Sequence, residues 1–297
     1  MASDSPLRVG IAGFGEVGRA FAEGYRAQGL TDLIAFDPAA SHPLHGDRIR
    51  ESARLADVQL VDSPALLASR VDVILAAVPG SASEQLFDSC ELDASVQCYA
   101  DFSTSTAAIK RHLAQKAESV GVAYVDAAIV GPVSLLQHRV PIMISGGGAR
   151  LFSSLFSQYE MDLQYVSDRA GDAIAIKLIR SIFTKGLGAV LWETVLAADK
   201  AGVLDPVLDS IVSSMSASTF DDHVNRALCE TAFHAERRAV EAGSSAEQVA
   251  ALGVDPMLTR ATVERLHMLA SFDFKARFSG RVPREFRMVL RAMDEEH

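Results

Sequence analysis

The chain has 297 residues, of which 49% are hydrophobic and 22% charged, a composition that fits two globular domains of ordinary size. Its formal net charge of −10, without any basic tract, argues against nucleic acid as a partner but leaves room for a pocket that binds a small anion. Its three cysteines are too few and too widely spaced for a disulfide framework, which indicates a reducing compartment.

Signals for targeting, membrane insertion and metal binding are missing from the sequence. The first residues, Met1–Pro6, have neither the basic region nor the apolar run of a signal peptide. No stretch approaches the roughly 18 apolar residues of a membrane-spanning helix. His42 and His45 form a lone close pair, and the cysteines show no metal-ligand spacing. We therefore expect a cytoplasmic protein with no metal and no membrane partner.

Up to about residue 167, short β-rich runs alternate with stretches of helical length such as Glu16–Gln28 and Ser105–Val120. Solidly apolar, β-branched runs such as Val71–Val78 are typical of strands buried on both faces of a parallel sheet. Eight strands are predicted, at Leu7–Phe14, Leu33–Asp37, Val58–Val61, Val71–Val78, Val96–Ser103, Ala123–Val130, Val140–Gly146 and Leu163–Ser167. The pattern predicts an α/β domain with a Rossmann-type, doubly wound and mostly parallel sheet.

Beyond Ser167 strand signals vanish and helical periodicity takes over. The stretch Asp172–Lys200 contains no proline and predicts one helix of some 40 Å at about 1.5 Å per residue. Further helices are predicted at Pro206–Met215, Ala217–Ala242, Ser245–Leu252, Pro256–Leu269 and Pro283–Met293, with Gly202, Gly243 and Gly253 as helix stops. The chain is therefore divided into a dinucleotide-binding domain, 1–167, and an all-helical domain for substrate binding and dimerisation, 168–297.

A glycine-rich loop follows the first predicted strand. Its sequence, Gly13-Phe14-Gly15-Glu16-Val17-Gly18, is a full G-x-G-x-x-G that opens an amphipathic helix. In such loops the first glycine permits a tight turn, the second lets a pyrophosphate approach the backbone, and the third lets the helix pack on the strand. A second strand then ends in Asp37, 19 residues past Gly18, where a carboxylate can bind the adenosine ribose. The loop predicts a dinucleotide cofactor.

Four segments in order resemble the β-hydroxyacid dehydrogenase superfamily, which includes 3-hydroxyisobutyrate and 6-phosphogluconate dehydrogenases. They are the glycine loop; Ala77-Val78-Pro79; Asp101-Phe102-Ser103-Thr104; and the pair formed by Asp126-Ala127-Ala128-Ile129-Val130-Gly131-Pro132 with the helix around Lys177-Leu178-Ile179-Arg180-Ser181. The last of these, with His234-Ala235-Glu236-Arg237-Arg238, is similar to a bacterial branch whose C-terminal domain has no assigned function.

The resemblance implies roles for these residues. It implies that Ala77, Val78, Pro79, Ser103 and Thr104 lie along the nicotinamide side of the cofactor. It also implies that Ser103 and the loop Val130-Gly131-Pro132 bind substrate, and that Lys177 is the catalytic acid and base. Two departures concern the substrate: Val130 and Pro132 replace a serine and a glycine of the family's loop, and Ser181 stands where relatives commonly have an asparagine.

The residues around Lys177 suit the chemistry that the resemblance implies. Alcohol oxidation needs a base for the hydroxyl proton, and a lysine can serve if desolvation or a neighbouring cation lowers its pKa. The apolar run Ala173–Ile179 would help to desolvate Lys177. Ser181 and Lys185 follow at i+4 and i+8 on the same helix face, bordered by Arg180. Spacing alone is equally compatible with a lysine that extends to solvent.

The leading hypothesis is an enzyme that transfers hydride between a nicotinamide cofactor and a small carboxylate-bearing alcohol of the 3-hydroxy acid type. Arg180, Ser181 and Lys185, with His234 or Arg237 from the helical domain, are the candidate substrate ligands. Thr184 stands where decarboxylating relatives carry a glutamate, so no obligatory loss of carbon dioxide is expected. Alternatives are an imine or keto-acid reductase on the same scaffold, and a non-catalytic binding protein that senses NAD(P).

Two further expectations concern the cofactor and the assembly. Asp37 would repel the 2′-phosphate of NADP, and Pro38-Ala39-Ala40 offers no arginine to bind it, so NAD is expected over NADP. The Ala-, Val- and Leu-rich stretch Gly186–Ala198 needs cover on more than one side, which predicts a homodimer that packs through the long helix.

Overall fold

The computed structural model describes residues 6–44 and 46–295. His45, and most of the N-terminal segment examined above for a signal peptide, lie outside the described residues. The chain divides into two compact units, Met1–Ser181 and Ile182–His297. The sequence places a boundary at 167/168, at the end of the last strand, whereas the compact units divide 14 residues later, inside a helix that starts at Asp172.

The first unit is built around one eight-stranded sheet in the order β3-β2-β1-β4-β5-β6-β7-β8. All neighbouring strands are parallel except β6 and β7, which are antiparallel. The strands are β1 Val9–Ala12, β2 Leu33–Phe36, β3 Gln59–Leu60, β4 Val73–Ala76, β5 Cys98–Asp101, β6 Ala123–Ile129, β7 Ile142–Ser145 and β8 Leu163–Ser167. Each lies within a predicted run, so the mostly parallel, Rossmann-type sheet is confirmed. The chain order reverses between β1 and β4, where such sheets bind their ligands.

Seven helices of the first unit, among its described residues, cover the two faces of this sheet. They are α1 Glu16–Ala27, α2 Gly46–Leu55, α3 Pro64–Ala68, α4 Ser83–Ser89, α5 Ala107–Ser119, α6 Val133–Leu136 and α7 Ala149–Phe156. Successive strand residues point to opposite faces, so Val73 and Leu75 join one hydrophobic cluster while Ile74 and Ala76 join the other. Burial on both faces explains why these strands read as continuous apolar runs.

The long helix α8, Asp172–Lys200, has the predicted bounds and passes from the first unit into the second. In the second unit α9 Leu204–Ser216, α10 Phe220–Phe233, α11 Ala235–Ala251, α12 Met257–Ala270, α13 Phe274–Arg277 and α14 Phe286–Asp294 follow. Gly202 and Gly253 have φ of +70° and +75° and end helices as predicted. The described residues contain no helix that is long and apolar enough to cross a membrane.

The single helix predicted over Ala217–Ala242 is wrong, because the chain breaks at His234. Arg238 donates hydrogen bonds back across that turn to the Thr231 hydroxyl and the Glu230 carboxylate, which stabilises the break. Gly243 does not stop the following helix, and α11 runs through it to Ala251. A glycine costs only about 1 kcal/mol inside a helix, and the packing of α11 on α12 overrides it.

His138, in the loop after α6, packs against helix α1. Its imidazole lies so close to Gly24 that a Cβ at this glycine would meet Nδ1 at 2.0 Å. The ring is buried, and among the described residues neither of its nitrogens has a hydrogen-bond partner. Burial and the neighbouring Arg139 lower the pKa of His138, so the folded protein holds it neutral.

Acid is therefore expected to destabilise the protein through His138. As pH falls through the ordinary histidine range, the unfolded chain binds a proton that the folded chain does not, and stability falls. Between about pH 7.5 and about pH 5.5, Tm should fall more in the wild type than in His138→Phe, measured by calorimetry. His112→Phe, at an exposed histidine, serves as the control, and its Tm should show the same pH dependence as that of the wild type. Identical pH dependence in His138→Phe and the wild type would contradict the prediction.

Candidate active site

The glycine loop follows β1 at the carboxyl edge of the sheet, and two of its glycines are required by packing. Gly13 has φ of +97°, and a Cβ there would meet the Ala77 carbonyl oxygen at 2.4 Å. A Cβ at Gly18 would meet the Gly13 carbonyl oxygen at 2.1 Å. Because both obstacles are backbone atoms, neither can move aside cheaply. The two glycines therefore hold α1 close to the β1 and β4 loops.

Gly15 is different, because a Cβ at this position would meet nothing within 4 Å. It is exposed and stands at the N-cap of α1, where no described side chain caps the helix. The N–H groups of Glu16 and Val17 in the first helical turn therefore have no partner within the helix. Open space in front of unpaired N–H groups and a positive dipole end fits the pyrophosphate of a dinucleotide.

Asp37 follows β2 and belongs to the same edge. Its Oδ2 accepts a hydrogen bond of 2.7 Å from the Phe14 N–H, and its Oδ1 accepts one of 2.8 Å from the Ala39 N–H. Each carboxylate oxygen keeps a second acceptor position for a ribose hydroxyl. The nearby Arg50 donates to the Ala40 carbonyl and pairs with Asp47. Asp37 thus joins the end of β2 to the glycine loop.

The loops after β4 and β5 contact each other. A Cβ at Gly80, just past Ala77-Val78-Pro79, would meet the Thr104 carbonyl oxygen at 2.2 Å. Ser103 is buried, and its N–H donates to the Asp101 carboxylate at 2.9 Å, whereas Thr104 is exposed. The structure therefore brings together the predicted nicotinamide-side segments at one edge of the sheet.

Lys177 lies on the second turn of α8, and its Nζ donates a hydrogen bond of 3.0 Å to the Thr104 hydroxyl. The lysine is half-buried. Its apolar neighbours do not shield it as predicted, because Ile176, Leu178 and Ile179 are exposed on other faces of the helix. Within the run only its first part, Ala173 and Ile174, is buried.

The remaining predicted substrate residues are distributed over both units. In the first, the Val130 N–H donates to the Pro141 carbonyl at 2.9 Å, Gly131 is half-buried, Pro132 and Arg180 are exposed, and Ser181 is half-buried. In the second, Lys185 is exposed, His234 makes an edge-to-face contact with Phe233, and Arg237 pairs with Glu241 at 2.9 Å. Arg237 is thus engaged within its own helix.

Sequence reasoning missed a buried polar cluster directly behind this edge. Lys110 is fully buried, and its Nζ lies 3.0 Å from Asp101 Oδ2 and 3.6 Å from Asp126 Oδ1. The Tyr124 hydroxyl donates to Asp101 Oδ2 at 2.8 Å. Burial raises the pKa of Asp126 above its usual value, against the effect of Lys110. The available signal was a lysine in the buried stripe that Leu113 and Ala117 continue along α5.

Two of the three cysteines lie in the core of the first unit. Cys90 and Cys98 are buried, and burial raises the pKa of each thiol to about 12, which keeps both as inert thiols in the core. Over residues 6–44 and 46–295, no three histidine, cysteine, aspartate or glutamate side chains are grouped to hold a metal ion.

A glycine loop, an acidic residue after β2 and an open helix N-terminus define a dinucleotide-binding protein of the Rossmann class. A family model described as the NAD binding domain of 6-phosphogluconate dehydrogenase matches residues 8–156, half of the chain. The chain therefore belongs to this family. A second model, for a domain of unknown function, matches residues 198–269 within the helical part.

Three relatives illustrate the range of similar proteins. An uncharacterized protein of Methanothermus fervidus is 21% identical over 257 residues, covering 86% of this chain and 96% of its own. A conserved protein of unknown function, described as structurally similar to 3-hydroxyacid dehydrogenases, is 26% identical with a TM-score of 0.56, over 93% of this chain and 100% of its own. A Streptomyces aurantiacus imine reductase is 16% identical with a TM-score of 0.73, over 97% and 99%, a likeness of fold alone.

Proposed function

We propose that the protein is a nicotinamide-dependent dehydrogenase that oxidises a small carboxylate-bearing alcohol, or reduces the corresponding carbonyl, with Lys177 as acid and base. One observation carries the proposal: Lys177 Nζ lies 3.0 Å from the Thr104 hydroxyl, at the sheet edge that also holds the glycine loop. A lysine placed beside the nicotinamide-side segment is within reach of a hydroxyl proton on a substrate bound there.

In this mechanism the bound nicotinamide supplies or accepts the hydride. Lys177 removes the hydroxyl proton during oxidation and returns it to the carbonyl oxygen during reduction. The Thr104 hydroxyl accepts one Nζ hydrogen and thereby orients the amine. The buried Ser103 fixes the turn that presents Thr104, because its N–H is bonded to Asp101.

The substrate is proposed to carry a carboxylate, with Arg180 and Ser181 as its ligands in the first unit. Arg180 provides a guanidinium group that suits a carboxylate, and the Ser181 hydroxyl can donate a hydrogen bond. In the loop after β6, Val130 has no hydroxyl and Pro132 has no N–H, so that loop offers the Gly131 backbone and an apolar surface. Thr184 provides no second acid, which favours simple oxidation or reduction.

A panel of short 3-hydroxy acids, followed by nicotinamide absorbance with NAD and with NADP, tests this function. Turnover of at least one carboxylate-bearing alcohol, lost when the carboxylate is esterified, is the expected result. Turnover of uncharged alcohols at equal efficiency would contradict the proposed substrate class.

An imine reductase is the second candidate, supported by the fold shared with the Streptomyces aurantiacus enzyme and by the apolar side chain of Val130. The acid form of Lys177 that carbonyl reduction requires would disfavour it, because like charges repel and the reactive imine is itself a cation. Cyclic imines in the same panel separate the two functions: turnover of imines without turnover of hydroxy acids would replace the first proposal with the second.

NAD is proposed as the cofactor in preference to NADP. The Asp37 carboxylate is held by the Phe14 and Ala39 N–H groups, so it cannot swing away from a 2′-phosphate. We expect kcat/KM with NAD to exceed that with NADP by more than about tenfold, a difference of roughly 1.4 kcal/mol. A preference of the same size for NADP would contradict this role of Asp37.

A homodimer is proposed on the surface of α8, which carries large apolar side chains on all sides. Ile179, Ile182 and Trp192 are 67%, 75% and 68% exposed within the chain. A helix that is hydrophobic all round is normally covered. Static light scattering should give a dimer at micromolar concentration, and Trp192→Glu should raise its dissociation constant by at least about tenfold. Leu44→Glu, at an 83% exposed leucine elsewhere, is the control. A wild-type monomer would contradict the proposal.

A further inference from the structure

Lys110 is the one buried lysine or arginine among the described residues of the chain. It lies in α5 at a position where the helix otherwise buries Leu113 and Ala117. An apolar side chain would suit this stripe, and a buried ion pair often contributes no more stability than well-packed apolar residues. The fold therefore gives no sufficient reason for a charge at this position.

The contacts of Lys110 connect two different segments. Toward β5, its Nζ donates to the Asp101 carbonyl oxygen at 2.7 Å and lies 3.0 Å from Asp101 Oδ2. Toward β6, it lies 3.6 Å from Asp126 Oδ1. No described donor makes a hydrogen bond to that oxygen, so Lys110 is its nearest source of positive charge.

Asp126 in turn holds the start of α8. Its Oδ2 accepts hydrogen bonds from the Gly171 N–H at 3.1 Å and the Ile174 N–H at 3.0 Å. The Ser145 hydroxyl donates to the same oxygen at 3.1 Å. Ile174 precedes Lys177 by three residues, less than one helical turn. The position of Asp126 therefore determines where the turn that carries Lys177 begins.

Asp101 holds the other side of the site. Its Oδ1 accepts the Ser103 N–H at 2.9 Å, and the next residue, Thr104, accepts the Lys177 hydrogen bond. The contacts close a ring that runs from Lys110 through Asp101 to Thr104, across to Lys177, and back through Ile174 and Asp126. Lys110 is the member that joins the two halves behind the site.

We propose that Lys110 is a positioning residue, which holds the Asp101 loop and the start of α8 at the separation that places Lys177 Nζ against Thr104. This role rests on the proposed function of Lys177. Lys110 itself is fully buried and is not proposed to contact substrate or cofactor. Its effect on turnover is transmitted through the geometry of the Lys177–Thr104 pair.

The test uses the double variant Lys110→Met/Asp126→Asn in the full-length protein. Methionine keeps the length of the side chain, and asparagine keeps an oxygen for the Gly171 and Ile174 N–H groups. The formal charge of the cluster stays the same, although the retained Asp101 carboxylate loses its contact with Lys110 Nζ. The matched control is Lys116→Met, which removes an exposed lysine of the same helix and its surface ion pair with Asp88.

Two readouts follow the site. The first is steady-state kinetics with NAD binding. In the double variant kcat should fall by at least about tenfold, while KM and the Kd for NAD stay within about twofold of wild type. The second does not need a substrate: the rate at which acetic anhydride acylates Lys177, measured by mass spectrometry, should rise at least about threefold because the amine leaves Thr104. The Tm is expected to fall, because Asp101 stays buried without its cation, so both readouts are taken well below the melting transition. Lys116→Met should change neither readout.

Each outcome decides the proposal. A normal kcat in the folded double variant overturns the positioning role, and an unchanged acylation rate overturns the link between Lys110 and Lys177. If the double variant does not fold, the single variant Asp126→Asn removes the charge contact between Lys110 and Asp126. A wild-type kcat in Asp126→Asn then overturns the positioning role of Lys110. If the wild type turns over no hydroxy acid, or Lys177→Ala stays active, the proposed function fails, while acylation still decides the geometric link.

Discussion

Lys177→Ala is expected to lower kcat by about a hundredfold or more, the usual contribution of a positioned acid and base. The Kd for NAD, measured by calorimetry, should stay within about twofold of wild type, because the proposed pyrophosphate site is built from the glycine loop and not from α8. The substitution shortens a half-buried side chain near the surface, so the fold should be retained.

Lys116→Ala is the matched control for this substitution, since it removes another half-buried lysine of the first unit, one that pairs with the surface residue Asp88. It should leave kcat unchanged. A Lys177→Ala protein that keeps more than about a tenth of wild-type kcat, a barrier change below roughly 1.4 kcal/mol, would contradict catalysis by Lys177.

Gly15→Ala is expected to weaken NAD binding by at least about tenfold, or about 1.4 kcal/mol, without loss of stability. The new Cβ meets nothing within 4 Å in the free protein, so Tm should not fall. It would occupy the open space before the first turn of α1 that we assign to the pyrophosphate. Calorimetric titration with NAD and a thermal melt of the same sample measure both effects.

Two other glycines serve as controls for Gly15→Ala. Gly18→Ala places a Cβ 2.1 Å from the Gly13 carbonyl oxygen, and overpacking of this kind should lower stability by about 1–3 kcal/mol. Gly147→Ala has open space around its Cβ and lies after β7, so it should alter neither Tm nor binding. Normal NAD affinity in Gly15→Ala would show that the cofactor does not approach this backbone.

The strands and the order of the loops could be predicted because they depend on local patterns. Runs such as Val71–Val78 are apolar at every position, and a strand buried on both faces is the simplest structure for them. Parallel strands then bring the segments after β1, β2, β4 and β5 to one edge without further information. The motif residues around Gly13, Asp37, Ala77 and Thr104 were therefore predicted together with the fold.

What could not be predicted depends on contacts between residues distant in the sequence. The cluster of Lys110, Asp101 and Asp126 joins three elements, and the place of Lys110 in the apolar stripe of α5 does not identify the two carboxylates that its amine meets. The break at His234 depends on bonds made by Arg238, and the exposure of Ile176 depends on which helix face meets the sheet. Periodicity identifies a helix but leaves such partners undetermined.

The two hydrogen bonds of Asp37 have a consequence for any redesign of this protein toward NADP. Replacing the aspartate with an apolar residue would remove a repulsive charge, but it would also leave the Phe14 N–H without its acceptor, at a cost of about 1–3 kcal/mol. The glycine loop would then loosen for both cofactors. A useful exchange has to retain an acceptor, as Asn or Ser does, and add a cation in the segment Pro38–Ser41. A substitution of Asp37 therefore changes the selectivity for NAD over NADP and the rigidity of the glycine loop at the same time.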